Sequence, residues 1–157
     1  DLYKNANILQ QISENFSNDV DAVCTDVEIF RGQPENVVRY YSCTKWKPWM
    51  FRMGHQPPHP GFFVRRSCYN KFGIFDTSYK IAADFDLLFR LIYKHKCNVL
   101  FLPWVAISMR SGGASQNIVQ ANKEVHRALK KNGVFSSPIL IWSKYLIKIF
   151  QFGKLRK

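Results

Sequence analysis

The sequence predicts an α/β protein built on a mixed sheet. Three observations carry this expectation. Stretches rich in β-formers and apolar residues, "DAVCTDVEIF" at 21–30 and "NVLFLP" at 98–103 above all, read as strands. Between and after them run segments with apolar residues spaced by three and four, the period of an amphipathic helix. The order is helix, strand, loop, strand, two helices, two strands, two helices, which makes parallel and antiparallel pairing both available within one sheet. A length of 157 residues suits one domain of ordinary size, and 46% hydrophobic with 15% aromatic residues excludes a disordered chain.

The elements follow in order. Leu2, Ile8, Leu9, Ile12 and Phe16 are spaced for an opening helix. Residues 21–30 are the first strand. The stretch 31–60, with Pro, Gly, Trp and Met intermixed, is too long and too aromatic for a plain turn and reads as a functional loop or flap. "GFFVRR" at 61–66 is a short strand, and "SCYNKFG" is one or two helical turns capped by Ser67 and stopped by Gly73. A helix over roughly 81–95 follows. Strand 98–103 ends at Pro103, and "VAISMR" at 105–110 forms a separate strand. "SGGAS" at 111–115 is a loop, and 116–132 is helical up to Gly133. Ser136 and Ser137, then Pro138 and finally Gly153 punctuate a last helix over 138–152.

Within the helix over 81–95, "AADFDLLFRL" holds two acids in an apolar run. At 100° per residue, Phe85, Leu87, Leu88, Leu91 and Ile92 define one broad face. Asp84 falls inside that arc, whereas Asp86 falls nearly opposite, one turn before Arg90, where an i,i+4 pair forms in solvent. Asp84 is therefore the acid that needs an explanation. It either caps the helix or a loop N–H, or it faces a cleft.

The net charge of +12 is unevenly distributed. Residues 123–157 carry nine Lys/Arg and one acid, so the C-terminal end is the part suited to an acidic partner surface. No known nucleic-acid motif accompanies it, and no nucleic-acid partner is expected. The four cysteines have no Cys-x-x-Cys spacing, and reduced, buried thiols are the default, as suits a cytosolic protein. Neither a signal peptide nor an apolar run long enough to span a bilayer is present.

The stretch from about Pro57 to Ser115 resembles the second half of family 2 glycosyltransferases, in the bacterial branch that builds surface polysaccharides. The ordered features are Arg65–Arg66 ending a strand, Gly73 to Asp76 as "G-x-F-D", Ala83 to Asp86 opening a helix, the strand at 98–103, and Arg110 to Ser115 as "R-x-G-G-x-S". "DAVCTDVEIF" is similar to the family's mid-domain strand. The resemblance implies a GT-A fold and inverting transfer of a sugar from a nucleotide-sugar donor to an acceptor hydroxyl. It assigns the catalytic base to Asp84, with Ala83 standing where many members carry an acid. It also implies that the nucleotide-binding N-terminal half, which ends in an Asp-x-Asp metal motif, lies outside this chain. Asp1 is then that motif's last carboxylate, and a divalent metal, Mg or Mn, is held mostly by residues the chain lacks. On this basis residues 1–136 form the acceptor-side part of a transferase domain, and 137–157 a basic amphipathic helix.

An in-line displacement needs a base within about 3 Å of the attacking hydroxyl and a counter-charge for the departing diphosphate. A carboxylate in the first turn of a helix, facing inward among apolar neighbours, gains basicity while the positive helix terminus favours its ionised form. His59, between prolines, resembles a family position near the cleft; a turn histidine stacked on the aromatic loop is the rival reading. Arg110, Gly112, Gly113 and Ser115 can cradle phosphate, or simply make a glycine turn. Trp49, with Trp46 and Phe51, offers a ring for a sugar, although loop packing is the commoner fate. Arg65 and Arg66 face solvent by default. In 138–152, Lys144, Lys148 and Gln151 make a narrow polar stripe on an otherwise apolar helix, and Lys154, Arg156 and Lys157 follow. This composition suits an anionic membrane surface and lipid-linked acceptors at the inner face of the plasma membrane. Docking of the helix on its own domain is the alternative. The rival functions are a truncated, non-catalytic relative and a basic membrane- or nucleic-acid-binding module.

Overall fold

The computed structural model describes residues 1–112 and 117–142. It is an α/β fold with a mixed sheet. Strand β2 (Ala22–Phe30) is the centre, buried along nearly its whole length because it is hydrogen-bonded on both edges. One edge pairs in parallel with β5 (Val99–Arg110), and β5 pairs antiparallel with β1 (Leu2–Tyr3). The other edge is shared: β4 (Phe62–Val64) covers Ala22 to Cys24, and β3 (Val37–Tyr41) covers Val27 to Phe30, both antiparallel. Thr25 and Asp26 lie between those two partners. Into that gap the chain inserts the turn at His59–Gly61. Gly61 is needed there, because a Cβ would stand 2.6 Å from Thr25 Oγ1 and 2.7 Å from the Thr25 carbonyl oxygen.

Helices α1 (Ile8–Ser13), α2 (Arg66–Phe72), α3 (Ala83–Leu88), α4 (Ile118–Lys131) and α5 (Pro138–Trp142) complete the described elements, with α3 running on as a π-helical stretch, Phe89–Lys94. The main core joins Phe85, Leu88, Phe89 and Ile92 to Phe51 and Trp46 from the 46–53 segment, and to Val125, Leu129 and Ile141 from α4 and α5. Leu87 and Leu91 point into a second cluster with Cys68 and Cys97. The segment 83–94 is thus wedged between two apolar layers and has no broad solvent face.

That arrangement corrects several expectations. Asp86, expected in solvent, is 1% exposed. Its i,i+4 pair with Arg90 forms at 2.8 Å but inside the protein, and Asn132 at the end of α4 donates to the other carboxylate oxygen at 3.1 Å. The wheel assumed one buried face, whereas α4 and the 72–74 loop cover the other. Arg90 also donates to the carbonyls of Phe72 and Ile74, so the pair ties three segments together.

The opening residues are not helical as far as Leu2; they add strand β1 to the sheet edge, and the Lys4 ammonium reaches the buried Glu28 carboxylate, which also accepts from Ser108. Val99–Arg110 forms one strand instead of two. Thr25 pairs with Leu102 and Asp26 with Val105, so Pro103 and Trp104 bulge outward and the proline's missing N–H costs no ladder bond. Residues 37–41, assigned to the irregular stretch, form β3. Helix α2 starts at Arg66 with Arg65 as its N-cap, so Ser67 is not the cap, while Gly73 at φ 86° ends it as expected. Arg65 is no solvent residue: it donates to the carbonyls of Val20 and Ser17 and covers the Phe16 ring. All four cysteines are free and buried, as expected.

Candidate active site

Two segments meet in front of the gap in the edge of β2. The first is the N-terminal turn of α3, which carries Asp84. The second is the run from His55 to Gly61, fixed at almost every residue. Trp46 Nε1 donates to the His55 carbonyl at 3.0 Å, and the Tyr41 hydroxyl donates to the Gln56 carbonyl. Pro57 and Pro58 are fully buried, which holds φ at both residues and leaves no N–H to satisfy. A segment clamped in this way presents its side chains with little freedom to rearrange.

The side chains it presents converge on Asp84. Gln56 Nε2 donates to Asp84 Oδ2 at 2.6 Å, and His59 Nδ1 stands 3.2 Å from the same oxygen. Asp84 Oδ1 accepts from the Phe85 N–H at 2.8 Å. Among the described residues no arginine or lysine forms an ion pair with this carboxylate. Its side chain is 22% exposed and that of His59 is 48%, so the pair lies at the surface instead of in the core. Beneath it, burial pushes the Tyr41 phenol well above its ordinary range, and the nearby Cys24 and Asp84 add to that shift against the opposing charge of Arg39. The Tyr41 hydroxyl is therefore a fixed hydrogen-bond donor, and it holds Gln56 in place. Gln56 Oε1 is buried and has no partner among the described residues.

The other candidates are placed differently. Trp49, in the turn Pro48–Met53, is 56% exposed and remains available to a flat ligand, whereas Trp46 and Phe51 are core residues packed edge to face at 4.9 Å. Arg110 ends β5 opposite Phe30, five residues along β2 from Thr25, which is about 16 Å at the rise of a strand. Both Arg110 and Gly112 are exposed, and Gly112 has a φ of 97°. Gly113 and Ser115 lie outside the described residues. Strand β1 runs antiparallel to β5 with Leu2 opposite Ser108, so Asp1 sits at the same end of the sheet as Arg110. Sheet register thus separates the base candidate from the phosphate and metal candidates. The described residues contain no group of three His, Cys, Asp or Glu able to hold a metal, so they do not complete a divalent-cation site around Asp1.

Gln56, Tyr41 and Glu124 were missed by sequence reasoning. Gln56 and Tyr41 act through backbone placement, for which the sequence holds no local pattern. Glu124 did leave a signal, as the lone acid among nine basic residues from 123 onward. No family profile, curated protein or solved structure matches the chain.

Proposed function

We propose that the chain is the acceptor-side part of an inverting glycosyltransferase of the GT-A type, acting on a nucleotide-sugar donor in bacterial surface-polysaccharide synthesis, with Asp84 as its base. The observation that carries this reading is the Asp84 carboxylate itself: partly exposed, held by Gln56 and His59, and paired with no arginine or lysine among the described residues. In the reaction, Asp84 takes the proton of the acceptor hydroxyl as its oxygen bonds to the anomeric carbon. The bond from that carbon to the donor's diphosphate breaks on the opposite face, and the nucleoside diphosphate departs with the electron pair. His59, on the open side of Asp84, contacts the acceptor, and Trp49 offers a stacking face for its ring. Arg110 and Gly112 lie about 16 Å along the sheet from the turn beside Asp84, so the phosphate end of the donor is left to residues beyond those described. A divalent ion would supply counter-charge to the leaving diphosphate, with Asp1 as one of its ligands and the rest beyond the described residues.

The test is release of nucleoside diphosphate from a panel of UDP-, GDP- and dTDP-sugars by the protein carrying a nucleotide-binding half ahead of Asp1. Acceptor-dependent release, with inversion at the anomeric carbon seen by NMR, supports the reading. No release from any donor with polyprenyl-linked or free sugar acceptors overturns it.

The membrane expectation has its own support. Helix α5 buries Ile141 in the core but leaves Ile139 83% exposed, with Phe135, Leu140 and Trp142 also on the surface. Residues 143–152 of the proposed helix lie outside the described residues. Among the described residues, no helix is long and apolar enough to cross a membrane. Flotation of the protein with anionic, but not zwitterionic, vesicles is expected, and its loss when 137–157 is deleted.

A further inference from the structure

Helix α3 begins with a difficulty. Its N-cap residue is Ala82, whose side chain accepts no hydrogen bond, so the N–H groups at the helix start need acceptors from elsewhere. The nearest local acceptor is Asp84, and aspartates at helix starts readily fold back onto such groups. In this protein Asp84 takes only one of them, from Phe85. The N–H of the N-cap, Ala82, goes to a carboxylate from another helix, Glu124 of α4, at 3.0 Å, and so do those of the two residues leading into the helix, Ile81 and Lys80, at 2.8 and 3.2 Å.

Glu124 is itself built in. Gln120, one turn earlier on α4, donates to its Oε1 at 3.0 Å, and Gln120's own N–H is held by Asn117, the N-cap of α4. Burial alone would raise the Glu124 carboxyl, but the amides of Ala82, Ile81 and Lys80 with the Gln120 side chain more than offset it and hold the group below its usual value. Further along α4, Asn132 donates to Asp86. Helix α4 therefore grips α3 on either side of Asp84, at 80–82 and at 86.

We propose that Glu124 is a positioning residue for Asp84: by capping α3 from α4 it frees the Asp84 carboxylate to engage Gln56 and His59. This rests on the reading of Asp84 as the base, and it adds a role for a residue outside the stretch that resembles the transferases. The two carboxylates divide the work at one helix terminus. Glu124 satisfies the backbone, and Asp84 keeps Oδ2 on Gln56 and His59. Without Glu124, the freed amides compete for the Asp84 carboxylate, and its contact with His59 is lost.

The experiment follows the His59 ring by 15N NMR in histidine-labelled protein at about pH 8, where an ordinary imidazole is neutral. A His59→Gln spectrum identifies its signals. Wild type is expected to show a proton on Nδ1, donated to Asp84. Glu124→Ala and the near-isosteric Glu124→Gln are expected to lose that signature while remaining folded by melting temperature. If Glu124→Ala does not fold, Glu124→Gln decides. Lys131→Ala, which removes the exposed α4 contact to Asp76, serves as the control for general loosening of α4 and should keep the wild-type signature. An unchanged His59 signal in Glu124→Gln overturns the proposal, and so does an equal change in Lys131→Ala. The measurement needs no turnover, so its failure is distinguishable from that of the base assignment: Asp84→Asn with normal transfer would end the role of Asp84 as base, whereas an unchanged His59 signal in Glu124→Gln would end only the role of Glu124. Where transfer is measured, Glu124→Gln should lower kcat by about ten- to a hundredfold, the cost of a misplaced base, with donor affinity unchanged.

Discussion

Asp84 and His59 meet 3.2 Å apart at the surface of the protein, one from the first turn of a helix and the other from a proline-rich turn well upstream. Neither neighbour in sequence brings this about. The contact exists because Pro57 and Pro58 are buried, because Gly61 lets its turn lie against Thr25, and because Glu124 holds the start of α3. The turn at Gly61 and the hold of Glu124 can each be removed singly, with distinct expected results.

The two acids of α3 should separate cleanly by stability. Asp86→Ala strands the Arg90 guanidinium in the interior and should cost about 3–5 kcal/mol. Asp84→Ala removes a partly exposed carboxylate and should cost about 1 kcal/mol or less. Urea unfolding of the two variants checks this. Equal losses would mean that Asp84 is structural.

Gly61→Ala tests the seat of the His59 turn. The added methyl group meets both the side chain and the carbonyl of Thr25, and the backbone atom cannot swing aside. A loss of about 1–3 kcal/mol is expected from overpacking of this kind. The crystal structure of the variant should show His59 withdrawn from Asp84. A His59–Asp84 distance unchanged within coordinate error would show that the turn is held by something else.

Gln56→Ala removes the shortest contact to Asp84 while leaving the backbone clamp from Tyr41, which uses the Gln56 carbonyl. Transfer should fall about tenfold or more, because a base held by one fewer bond samples more orientations. The melting temperature should change little. A variant with wild-type kcat would confine Gln56 to a packing role.

Stability should fall in alkali. Burial pushes the Cys97 thiol from an ordinary 9.0 to about 12, and hydrogen bonding to Cys43 together with burial drives Cys24 higher still. Both groups keep their protons in the folded protein at pH values where the unfolded chain has lost them. The folded state is therefore undisturbed below about pH 9 and loses stability from there up to about pH 12, at up to about 1.4 kcal/mol per thiol for each pH unit. Urea titrations between pH 8 and pH 11 give the slope directly. Stability that rises over this range would contradict the thiols' placement.

Much of the sheet was legible in the sequence because 21–30 alternates apolar and polar residues and is rich in β-formers, while 99–102 is a short apolar run closed by a proline. The wheel also separated Asp84 from Asp86, but it exchanged their surroundings. It assumed that a helix buries one face, and it put Asp86 in water. Residues 83–94 are covered on two sides, so Asp86 is the buried acid and Asp84 lies at the margin between layers. Such coverage depends on α4, which returns some forty residues later, and no local period encodes it. The register of β5 was illegible for a similar reason. Pro103 looked like a stop, and only the partner strand shows that it is a bulge. His59 could be nominated, but its contact with Asp84 is a tertiary fact that depends on Gly61 and Thr25.

The central claim is that Asp84 removes the acceptor's proton, and the most direct measurement compares Asp84→Asn with wild type in turnover and in donor affinity on the same preparation. The substitution keeps the size and one oxygen but cannot take up a proton. Turnover should drop by about 10²–10⁴-fold, the usual worth of a general base, with the dissociation constant of the nucleotide sugar and the melting temperature nearly unchanged. An asparagine variant that transfers sugar at the wild-type rate would contradict the assignment.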